Sequence, residues 1–272
     1  MPAHDIIDNR KEILADHIDR ILGSSSAARF AVGYFFISGL RGLAGKLANL
    51  SELRLLIGNT SNRETIEQLV EGYKSLEMVK EAAEAQNYPK RIESKRMAEE
   101  TAGAVREAME LMDQSDEEEE IILNIARMIE EERLKVRVYT KGRLHAKAYI
   151  FDYGPVYDAA GHPVERHEKG IAIVGSSNLT LSGITHNTEL NVMVQGNDNH
   201  AELANWFDEL WAEAEDFDET LMHEIKQSWA AAPVRPYDIY MKTLYRLVRD
   251  RLESDTDQEV LWDDDITSIL AD

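Results

Sequence analysis

A histidine and a lysine stand two positions apart in KGRLHAKAYIFD, residues 141–152. Side chains alternate between the two faces of a β-strand, so a strand here would place His145 and Lys147 on one face and Asp152 on the other. An imidazole titrates near neutral pH and can act as a nucleophile or a general acid and base. The two side chains can therefore address one anionic ligand together.

Two further elements extend this candidate site. In IAIVGSSNLT, a predicted buried strand ends in small and amide residues, where backbone N–H groups and the Ser176 and Asn178 side chains could hold the oxygens of an anion. Glu189 stands at the start of the last predicted strand. Its carboxylate is suited to holding the second nitrogen of a histidine ring.

These residues resemble the motif of the phospholipase D superfamily, which is H-x-K-x4-D followed downstream by G-S-x-N. Glu189 also stands where nuclease-type members place a glutamate that supports the histidine. The matching motif residues are His145, Lys147 and Asp152, then Gly175, Ser176 and Asn178. The resemblance covers residues 29–196 without a helical insertion. The gap between Asp152 and Gly175 is longer than the usual spacing, and its glycine and proline residues predict a loop or an extended hairpin.

The resemblance implies a reaction without a metal ion or another cofactor. In the family, one histidine attacks a phosphodiester to form a phosphohistidine, a second histidine protonates the leaving oxygen, and water releases the product. It implies catalysis by His145 and Lys147, with Glu189 orienting the histidine ring. The phosphate oxygens would be bound by Lys147, Ser176 and Asn178, and the motif residues Asp152 and Gly175 would be structural.

A family active site needs two such motifs, and this sequence contains one. His167 also has a lysine two positions later, Lys169, but no matching aspartate or G-S-x-N follows it. We therefore expect a two-fold homodimer that places two copies of His145 across its axis. The alternative is that the partner motif has been lost.

A narrower resemblance concerns FAVGYFFISGL, LRLLIGN and the helical insertion. They look like the N-terminal module of certain bacterial and archaeal Snf-type DNA helicases, which implies DNA as the substrate and an attached helicase domain. Two alternatives stay open: a non-catalytic module that binds DNA or dimerises for a helicase, and a phospholipase. No basic membrane-binding helix is evident, which argues against a lipid substrate and a membrane partner.

The elements that must position the site alternate between strand and helix patterns. Residues 10–22 have helical spacing and are followed by a serine run that suits a turn. Residues 61–134 predict a helical insertion with a capping box at SNRE and a further helix start at Ser115 and Glu118. Six segments predict strands: RFAVGYFFISGL, LRLLIGN, KVRVYT, HAKAYIFD, GIAIVGSSN and ELNVMV. We expect an α/β phospholipase D-like layered fold, a mixed β-sheet flanked by helices.

We predict a phosphodiesterase domain over residues 1–216, which includes the insertion at 61–134. A C-terminal helical appendage, or a linker to a further domain, is predicted over residues 217–272.

Composition limits the class of protein. The chain has 272 residues and no cysteine, which excludes disulfides, a thiol nucleophile and thiolate metal sites. Its net charge of −21 opposes binding to a polyanion, but the acidic residues concentrate in residues 61–134 and 201–272. The part around the motif is slightly basic, with Lys135, Arg137, Lys141, Arg143 and Lys147. Because no signal peptide or membrane-spanning segment is evident, we expect a cytoplasmic protein.

Overall fold

A computed structural model describes the chain over residues 5–41, 43–47, 49–58, 99, 101–103, 105–106, 109, 112, 115–231, 239–241, 243–245 and 248. The chain divides into two compact units, Met1–Ala231 and Ala232–Asp272. All the candidate site residues belong to the first unit. No helix among the described residues is long and apolar enough to cross a bilayer.

The first unit is built on an eight-stranded mixed sheet with the strand order β1-β9-β8-β5-β2-β3-β4-β10. The strands are β1 Ile6–Asp8, β2 Ser25–Val32, β3 Glu52–Gly58, β4 Leu134–Tyr139, β5 Lys147–Tyr153, β8 Gly170–Gly175, β9 Leu190–Val194 and β10 Glu215–Asp216. β3 pairs in parallel with β2 and β4, and the other neighbours are antiparallel. The connection between β5 and β8 contains a hairpin, β6 Val156–Tyr157 and β7 Pro163–Val164.

Helices cover both faces of the sheet. They are α1 Leu14–Leu22, α2 Ala44–Leu47, α3 Asp116–Glu130, α4 Leu181–Thr185, α5 Asn197–Glu213 and α6 Asp218–Gln227, with a 3₁₀ turn at Ile37–Leu40. On β5, Tyr149 and Phe151 belong to the larger apolar core, which includes residues of α1, α3 and α6. Ala148 and Ile150 belong to the second core, beneath Phe207 of α5. The expected α/β layers and mixed sheet are therefore confirmed.

The predicted strands are present, but the first has different bounds. The predicted turn is present at Gly23 and Ser24, but β2 begins within the serine run at Ser25 and ends at Val32, so RFAVGYFFISGL is not one continuous strand. The chain leaves the sheet after Val32, and the Phe36 N–H donates to the Leu179 carbonyl at 3.1 Å. This contact draws residues 34–36 toward the segment that follows β8.

Part of the predicted insertion is described. α3 begins as predicted, because the Ser115 side chain accepts a hydrogen bond from the Glu118 N–H at 3.3 Å. The predicted capping box at SNRE lies outside the described residues. At the other end, the first unit continues to Ala231, beyond the predicted boundary at residue 216. The reason is that α6 contributes Leu221 and Ile225 to the core of this unit.

Candidate active site

The motif residues meet at one end of the sheet, where β5 begins and β8 ends. β5 runs antiparallel to β8, and Ala148 pairs with Val174. This register places Lys147, the first residue of β5, beside the turn that follows Gly175. Strand pairing alone therefore brings the two halves of the motif together.

His145 lies just before β5, so the prediction that it shares a strand face with Lys147 is wrong. Pairing with β2 begins at Lys147, because its partner Val32 is the last residue of β2. The two side chains are nevertheless in contact. Lys147 Nζ donates to the His145 carbonyl at 2.9 Å and lies 3.4 Å from His145 Nδ1. The longer contact is too weak to fix the tautomer of the ring.

Burial and charge act on the protonation of this pair. His145 is exposed, whereas Lys147 is 6% exposed. Partial burial, followed by the charges of Lys147 and Arg143, lowers the pKa of His145. Burial also lowers the pKa of Lys147, with Arg143 acting in the same direction and Glu189 opposing it. The site thus favours a neutral imidazole, the form that carries a nucleophilic lone pair.

Asn178 and Lys147 converge on Gly33, which follows β2. A Cβ atom added to Gly33 would lie 3.3 Å from Asn178 Oδ1, 3.7 Å from Lys147 Nζ and 3.2 Å from the Leu144 carbonyl oxygen. Asn178 Oδ1 accepts a hydrogen bond from the Tyr34 N–H at 3.1 Å. Its Nδ2 group is therefore the part of the amide left to donate, and it can serve the same anion as the lysine.

Gly58 supports this arrangement from the end of β3. A Cβ atom there would lie 2.5 Å from the Gly33 carbonyl oxygen and 2.9 Å from that of Leu144. Real Cβ atoms do not approach backbone so closely, so the position requires glycine. The two glycines let the segment before β5, which carries His145, lie directly against the ends of β2 and β3.

The turn between Ser176 and Asn178 is held by Ser177, which is fully buried. Tyr149 Oη donates to the Ser177 carbonyl at 2.8 Å. Asn191 Nδ2 donates to Ser177 Oγ at 2.9 Å, and Asn191 Oδ1 accepts from the Ser177 N–H at 3.4 Å. Burial raises the pKa of Tyr149, so its hydroxyl stays a donor. This clamp fixes the spacing of the two predicted phosphate-binding side chains.

Gly175 and Glu189 complete the turn. A Cβ atom at Gly175 would collide with Asn191 Oδ1, so β9 can approach β8 only at a glycine. The Ser176 hydroxyl donates to Glu189 Oε2 and accepts from the Leu190 N–H at 3.1 Å. In this state Glu189 therefore binds Ser176, and the single hydroxyl hydrogen is taken up. The predicted contact of Glu189 with His145 stays a prediction.

Asp152 lies at the other end of β5, on the face away from Lys147. Arg29 Nη1 donates to Asp152 Oδ2 at 2.6 Å, and His200 Nε2 lies 3.1 Å from Oδ1. Burial alone would raise the pKa of Asp152, but the contacts with His200 and Arg29 outweigh it and lower the pKa. The carboxylate thus joins β5 to β2 and to α5.

The other bases of the slightly basic stretch make contacts away from the histidine. Arg143 and Lys147 are the bases whose charges act on His145. The remaining three are engaged as follows: Lys135 with Glu52 at 3.2 Å, Arg137 with the Trp211 carbonyl at 2.8 Å, and Lys141 with Glu213 at 3.7 Å. They therefore serve the fold of β4 and its surroundings.

Sequence reasoning missed four residues that shape the site: Gly33, Gly58, Tyr149 and Asn191. One of them carried a signal. Asn191 alternates with the inward-facing Met193 in a strand that is otherwise apolar, and both are buried. A buried amide in such a strand must have hydrogen-bond partners, so its position predicts a polar contact.

The comparison with protein families agrees with this geometry. The family model described as "Cardiolipin synthase, PLD-like domain" matches residues 111–211, a span that contains every motif residue from His145 to Glu189. This stretch of the chain is similar to a phospholipase D-like domain. The resemblance to the phospholipase D superfamily is thereby confirmed, and it supports a role of the phosphodiesterase type. A comparison with curated proteins finds no match.

Three solved structures are among the matches. Nuc from Salmonella typhimurium, a phospholipase D family member, is 12% identical over 75% of this chain and 87% of its own, with a TM-score of 0.38. NucT from Helicobacter pylori is 10% identical over 78% and 97%, with a TM-score of 0.40. Phosphatidylserine synthase from Haemophilus influenzae is 11% identical over 88% and 42%, with a TM-score of 0.41. The helicase module stays a prediction.

Proposed function

We propose that this protein is a metal-independent phosphodiesterase that cleaves DNA through a phosphohistidine intermediate, in a site built across a homodimer. The similarity to a phospholipase D-like domain supports the reaction class. The observation that carries the proposal is the contact of Lys147 Nζ with His145, a histidine whose pKa is lowered, with the Asn178 side chain held against Gly33 beside the lysine. Cationic and amide donors placed beside a nucleophile suit a phosphoryl group.

In the first step, a ring nitrogen of neutral His145 attacks phosphorus. A P–N bond forms, the P–O bond to the leaving group breaks, and the partner's His145, protonated, gives its proton to the leaving oxygen. Lys147 and Asn178 bind the non-bridging oxygens as charge develops on them. In the second step, water attacks phosphorus and the P–N bond breaks. The second imidazole takes the proton of the water, which restores both rings.

Glu189 and Ser176 act together in this proposal. Glu189 holds the Ser176 hydroxyl in the single chain. In the assembled site, Glu189 orients a His145 ring, as the family resemblance implies. That exchange frees the hydroxyl hydrogen of Ser176 for a phosphate oxygen, so both predicted roles become compatible.

The decisive experiment compares two histidines. Turnover of bis(4-nitrophenyl) phosphate is measured with excess EDTA for the wild type, His145→Ala and His167→Ala. We expect EDTA to leave turnover intact and His145→Ala to lower kcat by at least about a thousandfold. His167→Ala serves as the matched control, because it is the other histidine with a lysine two positions later, and it should match the wild type. Full turnover in His145→Ala would contradict the mechanism.

The substrate class is tested separately. Single-stranded DNA, duplex DNA and phosphatidylcholine vesicles are compared under the same conditions. DNA follows from the helicase-module resemblance, so we expect cleavage of DNA and none of the lipid. DNA binding without turnover of any substrate would favour the non-catalytic module, which would then serve an attached helicase domain.

A further inference from the structure

Three aromatic residues follow β2 and run beside the candidate site: Tyr34, Phe35 and Phe36. Phe35 forms an isolated parallel bridge with Leu179, and the Phe36 backbone is extended, with φ −127° and ψ 143°. Side chains alternate along such a segment. Phe35 is 4% exposed and belongs to the larger core, so the rings of Tyr34 and Phe36 point away from that core.

The fold leaves these two rings partly open. Both Tyr34 and Phe36 are partly exposed, and neither belongs to an apolar core in the part of the chain that the structure describes. Aromatic rings are the side chains that gain most from burial, so two neighbouring rings outside a core are available to a ligand. We call Tyr34 and Phe36 the aromatic pair.

The aromatic pair is tied to the phosphate-binding residues through the backbone. The Tyr34 N–H donates to Asn178 Oδ1 at 3.1 Å. A Cβ atom at Gly33, the residue directly before Tyr34, would lie 3.7 Å from Lys147 Nζ. A phosphate bound by Lys147 and Asn178 would therefore have Tyr34 as its neighbour. The chemical groups attached to that phosphate are the parts of a ligand that would meet the rings.

We propose that Tyr34 and Phe36 each stack on one base of a single-stranded nucleic acid whose backbone phosphate is bound by Lys147 and Asn178. The inference rests on the proposed function, since it takes this site to hold a phosphodiester. Aromatic side chains beside a basic site hold single strands in this way, and they accept every base because every base has a flat face.

The spacing of the aromatic pair favours a single strand over a duplex. Two extended residues span roughly 6.6 Å, whereas the nucleotides of a duplex follow one another at about 3.4 Å along each strand. The two rings can therefore carry two neighbouring bases only when those bases are separated from each other. Unpaired bases can be splayed apart and stacked on aromatic side chains in this manner.

The charges beside the site favour a strand over a lipid headgroup. The charged groups that act on His145 are Lys147 and Arg143, and both are positive. They attract the successive phosphates of a nucleic acid. An aromatic pair can also bind a choline cation, but these two bases would repel it.

Binding to the full chain is measured in the His145→Ala variant, so that the strand is held without being cleaved. Fluorescence anisotropy compares three labelled ligands of equal length: a single strand, the same strand with abasic sites throughout, and a duplex. We expect the single strand to bind at least about tenfold more tightly than the other two, since only its bases are free to stack.

Replacing each ring tests the aromatic pair directly. In the same background, Tyr34→Leu and Phe36→Leu should each weaken binding of the single strand about tenfold and leave binding of the abasic strand within about twofold. The contact with Asn178 is made by the backbone of residue 34, so it survives the substitution. Tyr34→Phe keeps the ring and should bind like the parent. Tyr157→Leu is the matched control, because Tyr157 is 59% exposed on the hairpin, at the other end of β5.

The outcomes separate this inference from the proposed function. Equal affinity for the abasic and base-bearing strands would overturn the stacking, as would a Tyr34→Leu variant that loses affinity for both alike. A duplex bound as tightly as the single strand would overturn the assignment to single strands. Absence of bis(4-nitrophenyl) phosphate turnover in the wild type overturns the proposed function instead, and it leaves the measured affinities unchanged.

Discussion

The two ends of β5 hold their charges in opposite ways. At the first end, Lys147 is 6% exposed and lies against the His145 ring and carbonyl, and the pKa values of both side chains are lowered. At the other end, Asp152 contacts Arg29 at 2.6 Å and His200 at 3.1 Å. One end places two basic groups together, and the other end pairs an acid with bases.

This difference indicates which end of β5 is suited to binding an anionic ligand. Two basic groups in contact destabilise the folded chain unless an anion joins them, and groups with shifted pKa values concentrate at functional sites. An acid paired with bases already has its partners and gains nothing from a ligand. We therefore expect changes at the first end to alter the rate and changes at the second end to alter the stability.

Replacing the lysine gives the largest expected effect. Lys147→Met keeps the aliphatic length and removes the charge, so kcat for bis(4-nitrophenyl) phosphate should fall by about 10²–10³-fold. The free energy of unfolding in urea should stay the same or rise, because a buried ammonium no longer has to be desolvated. If Lys147→Met lost stability and kept its rate, the lysine end of β5 would serve the fold and not the reaction, contrary to the comparison.

Replacing the aspartate should have the opposite outcome. Asp152→Asn removes the ion pair with Arg29, so the free energy of unfolding should fall by about 1–3 kcal/mol. The kcat of the folded protein should stay within about threefold, because the side chain faces away from the site. Urea titration and steady-state rates measure both quantities. Asp208→Asn is the control: Asp208 lies 3.6 Å from Arg29 and is 47% exposed, so its loss should cost less.

The pH dependence of the stability of Asp152→Asn gives a second check of the role of this aspartate. The pKa of Asp152 is lowered in the folded chain, so its ionised form stabilises the fold above the unfolded pKa of about 3.9. That stability is lost as the pH falls through the folded pKa. The difference in unfolding free energy between the wild type and Asp152→Asn should therefore be constant near neutral pH and shrink below about pH 4.

The sequence predicts the residues of the motif better than it predicts their contacts. Strand alternation correctly places Lys147 and Asp152 on opposite faces of β5, because that alternation is a local property of the backbone. His145 does not follow this alternation, because β2 ends opposite Lys147. The segment before Lys147, which carries His145, passes over Gly33 instead of pairing in the sheet. Glu189 likewise binds Ser176, a contact that depends on how β9 approaches β8.

The residues that the sequence did not identify as part of the site share one reason for this. Gly33 and Gly58 matter because Leu144, distant in sequence, passes close to both. Tyr149 matters because its hydroxyl reaches Ser177 across the sheet. Such contacts are set by tertiary packing, and one sequence shows the residue type without showing its neighbour. The apolar strands, by contrast, are visible because their composition and length are local signals.

The clamp on Ser177 links the first end of β5 to the turn beside it. Tyr149→Phe removes the hydroxyl that donates to the buried Ser177 carbonyl, so the free energy of unfolding should fall by about 1–2 kcal/mol. Because Ser177 fixes the spacing of Ser176 and Asn178, kcat should also fall, by about three- to tenfold. Tyr157→Phe, on a residue that is 59% exposed, should change neither. A loss of stability with kcat unchanged would make the tyrosine structural alone.

Arg143 gives the smallest expected effect and the sharpest test of the charges at the first end of β5. Its positive charge lowers the pKa of His145, so Arg143→Gln should move the acid limb of kcat/KM to higher pH. Lys141→Gln is the control, because Lys141 lies 3.7 Å from Glu213 and is not among the charges that act on the histidine. A basic limb that moves to higher pH, with the acid limb unchanged, would mean that protonated His145 is the active form. The acid stability contributed by Asp152 should not respond to either substitution, since neither Arg143 nor Lys141 is among the charges that act on Asp152.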